Sequence, residues 1–311
     1  MPKHLPRYLS PASDSGLQTK ARQAFERLKN CTLCPRKCGV DRTAGEKGYC
    51  ETGSNAVVGD YDAHFGEEAP LVGSHGSGTI FFSHCNLLCN FCQNFDISHR
   101  GEGREVSSAQ LAQMMLDLQK TGCHNINFVT PSHVVPQILS ALAIAVGNGL
   151  KIPLVYNSSG YDSVGTLKLL EGVIDIYMPD FKFWDTKIAE QTCHAPDYPA
   201  VARKALIEMH RQVGDLVMNE KGMAIRGLLV RHLVLPDRMA GTDKIMQFIA
   251  GKISSQTYVN IMHQYRPCGR AAEIKALQRS ITTEEYADAL AAASQAGISR
   301  LDRPRRTFMI H

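Results

Sequence analysis

No stretch of the sequence approaches the roughly 18 apolar residues that a membrane-spanning helix needs, so no membrane contact is expected. Residues 1–15 lack the apolar core of a signal peptide. There is no strong excess of charge of either sign. Thirty-four Lys and Arg against 30 Asp and Glu leave +4, too little to argue for a nucleic-acid partner. Arg300, Arg303, Arg305 and Arg306 cluster near the C-terminus and read as a solvated tail or a contact for a partner or phosphate. Evenly spaced cysteines, the mark of a secreted disulfide scaffold, are also missing. Of the ten cysteines, only Cys123, Cys193 and Cys268 stand alone; seven fall in two clusters. Clustered thiols in a chain of 311 residues point to metal in a reducing compartment, and a cytoplasmic protein is expected.

The more informative cluster is Gly78-Thr-Ile-Phe-Phe-Ser-His-Cys85-Asn-Leu-Leu-Cys89-Asn-Phe-Cys92-Gln-Asn94. Three thiolates on a short loop after an apolar run can hold three irons of a [4Fe–4S] cubane, which takes four ligands. The fourth iron is then open, and an open site binds a substrate where a closed one only passes electrons. The alternatives are a zinc site completed by His84 or His99, or three unrelated buried thiols. The second cluster, Cys31, Cys34, Cys38 and Cys50, has a full set of four thiolates within twenty residues. That set suits structural zinc or an auxiliary [4Fe–4S] cluster, with a disulfide pair as the remaining reading. Arg36, Lys37 and Arg42 beside it favour thiolate over thiol.

From Gly78 onward, short β-branched runs alternate with helical periodicity. The runs are 79–83, 125–130, 153–157, 173–178, 227–235 and 258–263. Helices are expected over 18–29, 107–120, 134–147, 162–170, 185–212 in two pieces, 242–252 and 282–296. Ser107 with Gln110, and Thr282 with Glu285, are capping-box pairs. Residues 1–20 are polar and expected to be partly disordered, and residues 51–77 read as glycine-rich turns containing Glu67, Glu68 and His75. Repeated strand-helix alternation gives an α/β protein with a parallel sheet, either a partial (β/α)6 barrel or a doubly wound sheet. The expected organisation is an extension with the four-cysteine metal site over 1–77, a core over 78–270, and a helix with a basic tail over 271–311. Chemistry belongs at the C-terminal ends of the strands, and polar residues gather at five of the six ends. Arg231 and His232 interrupt an apolar run, so one faces inward and the other the helices. A buried Arg231 needs an anion, supplied by a bound carboxylate or by Asp180 or Asp175.

Cys85, Cys89 and Cys92 with Phe91 before the last cysteine resemble the signature of the radical S-adenosylmethionine (radical SAM) superfamily. The likeness covers most of residues 31–300 and is strongest toward the pyruvate formate-lyase activating enzyme-like branch. It extends through Val155-Tyr-Asn-Ser-Ser-Gly-Tyr161, Asp175-Ile-Tyr-Met-Pro-Asp-Phe-Lys182 and Arg231-His-Leu-Val-Leu-Pro236. The resemblance implies a partial (β/α)6 TIM-like barrel, a [4Fe–4S] cluster and S-adenosylmethionine cleaved to a 5′-deoxyadenosyl radical for hydrogen abstraction. It implies Phe91, Thr130, Ser132, Ser158, Ser159, Asp180 and Arg231 around the cofactor, with flavodoxin or ferredoxin as reductant. A glycyl radical enzyme is the partner that the branch implies; a small molecule or peptide is the other substrate. Activases end their second strand with Gly-Gly-Glu, where this chain has Val129-Thr-Pro-Ser-His133 and no carboxylate. His263, Gln264 and Tyr265 at the sixth strand end are further candidates for substrate contact. A non-catalytic iron–sulfur or zinc protein for electron transfer or assembly is the alternative from another class.

Overall fold

The computed structural model describes residues 5–10 and 14–302. Its parallel strands are β2 (Ser77–Phe82), β4 (Ile126–Val129), β5 (Leu154–Ser158), β6 (Ile176–Pro179), β8 (Ala224–Leu233) and β9 (Tyr258–Met262). Each coincides with one of the β-branched runs. They pair as neighbours in chain order, β2–β4–β5–β6–β8–β9, all parallel. A doubly wound sheet reverses its strand order at a switch point; this one has no reversal.

Three further strands are not visible in the periodicity. β1 (Ala56–His64) runs antiparallel to β2 and carries β3 (Arg104–Val106) on its outer edge. β7 (Val217–Met218) is antiparallel to β8. β1 is half exposed and includes Gly59, Asp60 and Asp62, poor strand formers that an edge tolerates. Segment 51–77 is therefore strand and helix as well as turn, and β1 pairs with β2 across the boundary expected at residue 77.

Helices cover the sheet's outer face: α1 (Asp14–Glu26), α4 (Ser108–Lys120), α5 (Val135–Gly147), α6 (Val164–Leu169), α7 (Thr186–Cys193), α8 (Tyr198–Val213) and α9 (Thr242–Phe248). α2 (Ala69–Val72) lies at the N-terminal ends of the strands, α3 (Phe95–Arg100) follows the cysteine loop, and α10 (Thr283–Gln295) packs on α9. Both capping boxes form. The expected helix over 242–252 is α9 followed by one π turn over 249–253.

Residues 5–10 and 14–20 correct the expectation of disorder. Tyr8 is buried and its hydroxyl donates to Ile152 O at 2.8 Å. Leu17, Ala21 and Ala24 put an apolar stripe of α1 into the core, and α1 packs on α5. The helix also starts four residues earlier than its periodicity suggested. Arg300 is no solvated tail: it donates to Leu216 O and Gln256 O. Arg303, Arg305 and Arg306 lie outside the described residues. No helix among the described residues is long and apolar enough to cross a membrane.

Strand alternation sorts the core. Leu154, Tyr156, Leu228 and Val230 face the helices in the main cluster. Val155, Ile176, Met178, Leu229 and Tyr258 face the other side of the sheet, where Leu71 of α2 joins them. Arg231 points to that side and His232 to the helices, as the period of two requires. His232 Nδ1 donates to Phe181 O at 2.7 Å, and its Nε2 is 2.9 Å from Thr242 Oγ1 on α9.

Burial lowers the His232 pKa to about 4, against roughly 6.5 in the unfolded chain. Between those values the unfolded chain takes up a proton that the native state refuses. Stability is fully present above pH 6.5 and is lost as pH falls toward 4. Going from pH 7 to pH 5 should cost the native protein about 2 kcal/mol through this group alone. Urea titrations at both pH values should show a loss smaller by that amount in His232→Gln. Equal losses in the two proteins would remove His232 from the acid response.

Candidate active site

The loop that leaves β2 turns sharply. His84 and Leu88 sit at φ 66° and 54°, a region that bulky residues enter only when the surroundings hold them there. The turns bring Cys85, Cys89 and Cys92 onto one cavity of about 440 Å³ at the C-terminal ends of the parallel strands. Leu87 N donates to Cys85 Sγ at 3.3 Å and Ser98 Oγ to Cys92 Sγ at 3.1 Å. Burial pushes the Cys85 thiol up to about 12. The Cys89 thiol is raised as well, by hydrogen bonding with Cys193 and then by burial. Two of the lone cysteines thus flank the triad: Cys193 beside Cys89, and Cys268, whose thiol donates to Phe91 O at 3.3 Å. Ligation must displace these thiol protons, which a bound cation does readily. Neither His84 nor His99 lines the cavity; the His99 ring stacks on Phe95 at 4.1 Å.

Phe91, Thr130, Ser158, Ser159, Asp180, Arg231 and Gln264 line the same cavity. Thr130 is held at φ 61°, a costly place for a β-branched residue. Ser158 spends its hydroxyl proton on Asp162 Oδ2 at 2.6 Å. Ser132 does not reach the cavity: it is buried in the network of Asp162 and Tyr156. Tyr265 packs on Phe91 and donates to Leu277 O, while His263 lies against Tyr286. Of that trio only Gln264 borders the cavity. Gly160 (φ 75°) closes the turn after β5 under the carbonyl of Asp180, which any Cβ there would strike.

The charged centre is Asp180. Arg231 Nε donates to Oδ1 at 2.8 Å and Lys182 Nζ to Oδ2 at 2.6 Å. Burial alone would raise the Asp180 carboxyl, but the two cations outweigh it and hold it below its ordinary value. Asp175 faces elsewhere, accepting from Arg7 N and Leu154 N.

Sequence reasoning assigned no role to two acids that meet this centre. Glu67 and Glu68 follow β1, and Glu67 lines the cavity. His64 Nδ1 lies 2.9 Å from Glu67 Oε1. Burial would raise Glu67, but His64 and Arg231 outweigh it and lower its carboxyl. Burial dominates at Glu68 and raises it. Glu68 Oε1 accepts from Asn260 on β9 at 2.9 Å. The end of β4 thus lacks a carboxylate, yet the cavity has one from a distant segment. The only signal in the sequence was the adjacent pair of acids before Ala69-Pro70.

Cys31, Cys34, Cys38 and Cys50 share a second, smaller cavity with Arg42, Tyr49 and His133. Tyr49 N donates to Cys38 Sγ at 3.3 Å. Burial pushes the Cys34 thiol up to about 12. Buried Arg42 donates to Gly53 O and His133 O, with Nη1 3.9 Å from Cys31 Sγ. Among the described residues no three His, Cys, Asp or Glu side chains close in tightly enough to grip a single metal ion. Arg36 joins the two cysteine regions. Its guanidinium donates to Asn86 O and Leu87 O inside the triad loop and to Cys193 O, and lies 3.8 Å from the centre of the Tyr49 ring.

The fold and site define a mixed α/β protein whose two cysteine clusters are bridged by one arginine. No family model matches the chain. An uncharacterized protein of Methanocaldococcus jannaschii is 32% identical over 286 residues, covering 90% of this chain and 78% of that protein. The chain belongs to the family of that archaeal protein. Among solved structures, methylornithine synthase matches over 93% of this chain and 81% of its own, at 13% identity and a TM-score of 0.41. A likeness of that size fixes neither fold nor chemistry.

Proposed function

We propose that this protein is a radical SAM enzyme. The observation that supports it best is the placement of Cys85, Cys89 and Cys92 on the same cavity as Asp180, Arg231, Thr130 and Ser159. Six parallel strands in chain order, with polar residues at their C-terminal ends, suit an open (β/α)6 partial barrel. The three thiols would hold a [4Fe–4S] cluster. When bound, cluster and S-adenosylmethionine supply a 5′-deoxyadenosyl radical that abstracts hydrogen.

The chain's own groups divide the remaining work. Arg231 and Lys182 share Asp180, and Arg231 also faces Glu67 and Glu68, so the corner is close to charge balance and a bound carboxylate would compete with these acids for the two cations. Phe91, packed edge-on against Phe183 and Tyr265, presents a fixed apolar wall. Ser159 and Thr130 add polar groups at the rim. Cys31, Cys34, Cys38 and Cys50 would hold a second metal, zinc or [4Fe–4S], with Arg36 bracing it against the triad loop. Flavodoxin or ferredoxin is the reductant.

Anaerobic reconstitution followed by dithionite and S-adenosylmethionine should yield 5′-deoxyadenosine; none from a fully loaded triad would reduce the protein to a carrier. Cys193→Ser is the sharper control. If the triad keeps an open iron, this variant should retain cleavage within about threefold, with only a shifted cluster potential from the lost thiol contact. Loss of cleavage together with loss of cluster iron would make Cys193 a fourth ligand and close the site. Cys34→Ala should leave part of the activity if the N-terminal metal is structural.

The family resemblance favours a glycyl radical enzyme as substrate. One feature favours a small molecule instead. The segment 65–72 spans the space between the two ends of the parallel run. Glu68 bonds to Asn260 on β9, Leu71 O accepts from Asn125 beside β4, and Ala69 N reaches Asp302, which also accepts from Tyr258. This strap closes the lower part of the gap through which a protein loop would thread.

A further inference from the structure

Arg36 stands between two cysteines of the N-terminal set, Cys34 and Cys38. Its backbone N–H points at the Cys34 sulfur. Its side chain leaves that site and crosses to the other. Nε donates to Asn86 O at 3.0 Å, Nη1 to His194 O, and Nη2 to Cys193 O at 2.9 Å and Leu87 O at 3.4 Å. All four acceptors are main-chain carbonyls, so the guanidinium is a geometric clamp. Asn86 and Leu87 stand between His84 and Leu88, the two residues of the triad loop held at φ 66° and 54°. Such angles persist only where the surroundings over-determine them. Arg36 supplies part of that restraint from outside the loop, and the end of α7 supplies more, since Asn90 N donates to Thr192 O at 2.8 Å. The ground under the clamp is weaker. Residues 31–50 form no strand or α-helix, only one 3-10 turn at Arg42–Ala44. Their own apolar cluster is small: Leu28, Cys31 and Leu33, with Val40 beside them. A segment of that kind takes its order from a bound metal. Tyr49 ties the clamp to the same sulfurs: its N–H meets Cys38 Sγ and its ring lies under the guanidinium.

We propose that metal at Cys31, Cys34, Cys38 and Cys50 is a condition for stable metal at Cys85, Cys89 and Cys92, and that Arg36 is the positioning residue that couples the two sites. A seated N-terminal metal fixes Cys34 and Cys38 on either side of Arg36 and so fixes its fork. The fork then holds Asn86 and Leu87, and with them the turn that brings Cys85 and Cys89 onto the cavity. Coupling of this kind is reciprocal, so metal at the triad also tightens the first site. The inference rests on both cysteine sets holding metal, as proposed above, and on no radical step.

Site-resolved cysteine labelling tests the coupling on the full chain, reconstituted anaerobically with iron, zinc and sulfide. The protein is challenged with a chelator, alkylated with iodoacetamide and read by peptide mass spectrometry, so that each cysteine set reports its own metal. In Arg36→Met, Cys85, Cys89 and Cys92 should be labelled about 10-fold faster than in the native protein. Cys123, buried away from both sites, should be labelled no faster and so reports an intact fold. Arg36→Lys keeps the charge but lacks the planar fork; it should match Arg36→Met and serves if that variant opens Cys123. Replacing Cys34 and Cys50 together by Ala should speed triad labelling by the same factor, and adding Arg36→Met to that protein should change nothing more. Equal triad labelling in native protein and Arg36→Met, native behaviour in Arg36→Lys, or additive effects of the two kinds of change overturns the coupling and leaves the radical reading untouched. A native triad that no metal protects defeats both. A triad that is filled and coupled but never yields 5′-deoxyadenosine defeats the radical reading alone.

Discussion

Cys89→Ala should yield no detectable 5′-deoxyadenosine and should lose the iron of the triad. Cys89 is buried on the cavity wall between the other two cysteines of its loop. Removing one of three ligands leaves a cubane with two attachments, too few to hold it against chelation or oxygen. The fold should survive. The substitution deletes one sulfur from a loop anchored elsewhere by backbone bonds, Asn90 N to Thr192 O and Arg270 N to Asn90 O. The structural cost is therefore about 1 kcal/mol, as for a small buried group. Cys123→Ala is the matched control: that thiol is equally buried but lies near Thr121 and away from the cavity. Iron content, the cluster's visible absorbance and product formation should all fall in the first variant and stay constant in the second. Full iron and full turnover in Cys89→Ala would end the assignment of the triad.

The second large effect concerns stability. Asp180→Asn should cost about 3–5 kcal/mol, because it strands two mostly buried cations, Arg231 and Lys182, with a neutral partner. Arg231→Met should cost less. It leaves Asp180 its bond to Lys182 and replaces a buried guanidinium by an apolar chain of similar length. Urea unfolding at neutral pH, on protein without added cofactor, ranks the two variants directly. The reverse order would mean that Glu67 and Glu68, not Asp180, depend most on the cluster of charges. Asp180→Asn should also alter the pull on any bound carboxylate, since the two cations lose their shared counter-ion.

Much of the scaffold could be read from residue order. The parallel strands are buried on both faces and so appear as continuous β-branched runs, and the helices between them carry apolar stripes and capping pairs. The cysteine triad was legible because its ligands lie within eight residues of one another. Edge strand β1 was not, because one side of it meets solvent and its composition is that of a loop. Glu67 was invisible for a different reason. It reaches the cavity only because β1 runs antiparallel to β2 and the chain then doubles back beneath the sheet into α2. That approach depends on contacts with Asn260 and Asp302, far along the chain. Ser132 and Ser159 stand at equivalent strand ends, yet only Ser159 borders the cavity, since Asp162 claims the other. Local pattern places a residue at a strand end but does not choose its hydrogen-bond partner.

The strap formed by residues 65–72 has a kinetic consequence. Leu71 is buried against the strands and Asp302 accepts from Ala69, which ties the segment down at the lower end, while the cysteine loop borders the cavity at the other. If the cavity fills from the cysteine-loop side, a molecule resting against Glu67 enters before a larger one settles above it and leaves after that one has gone. Occupancy is then last in, first out.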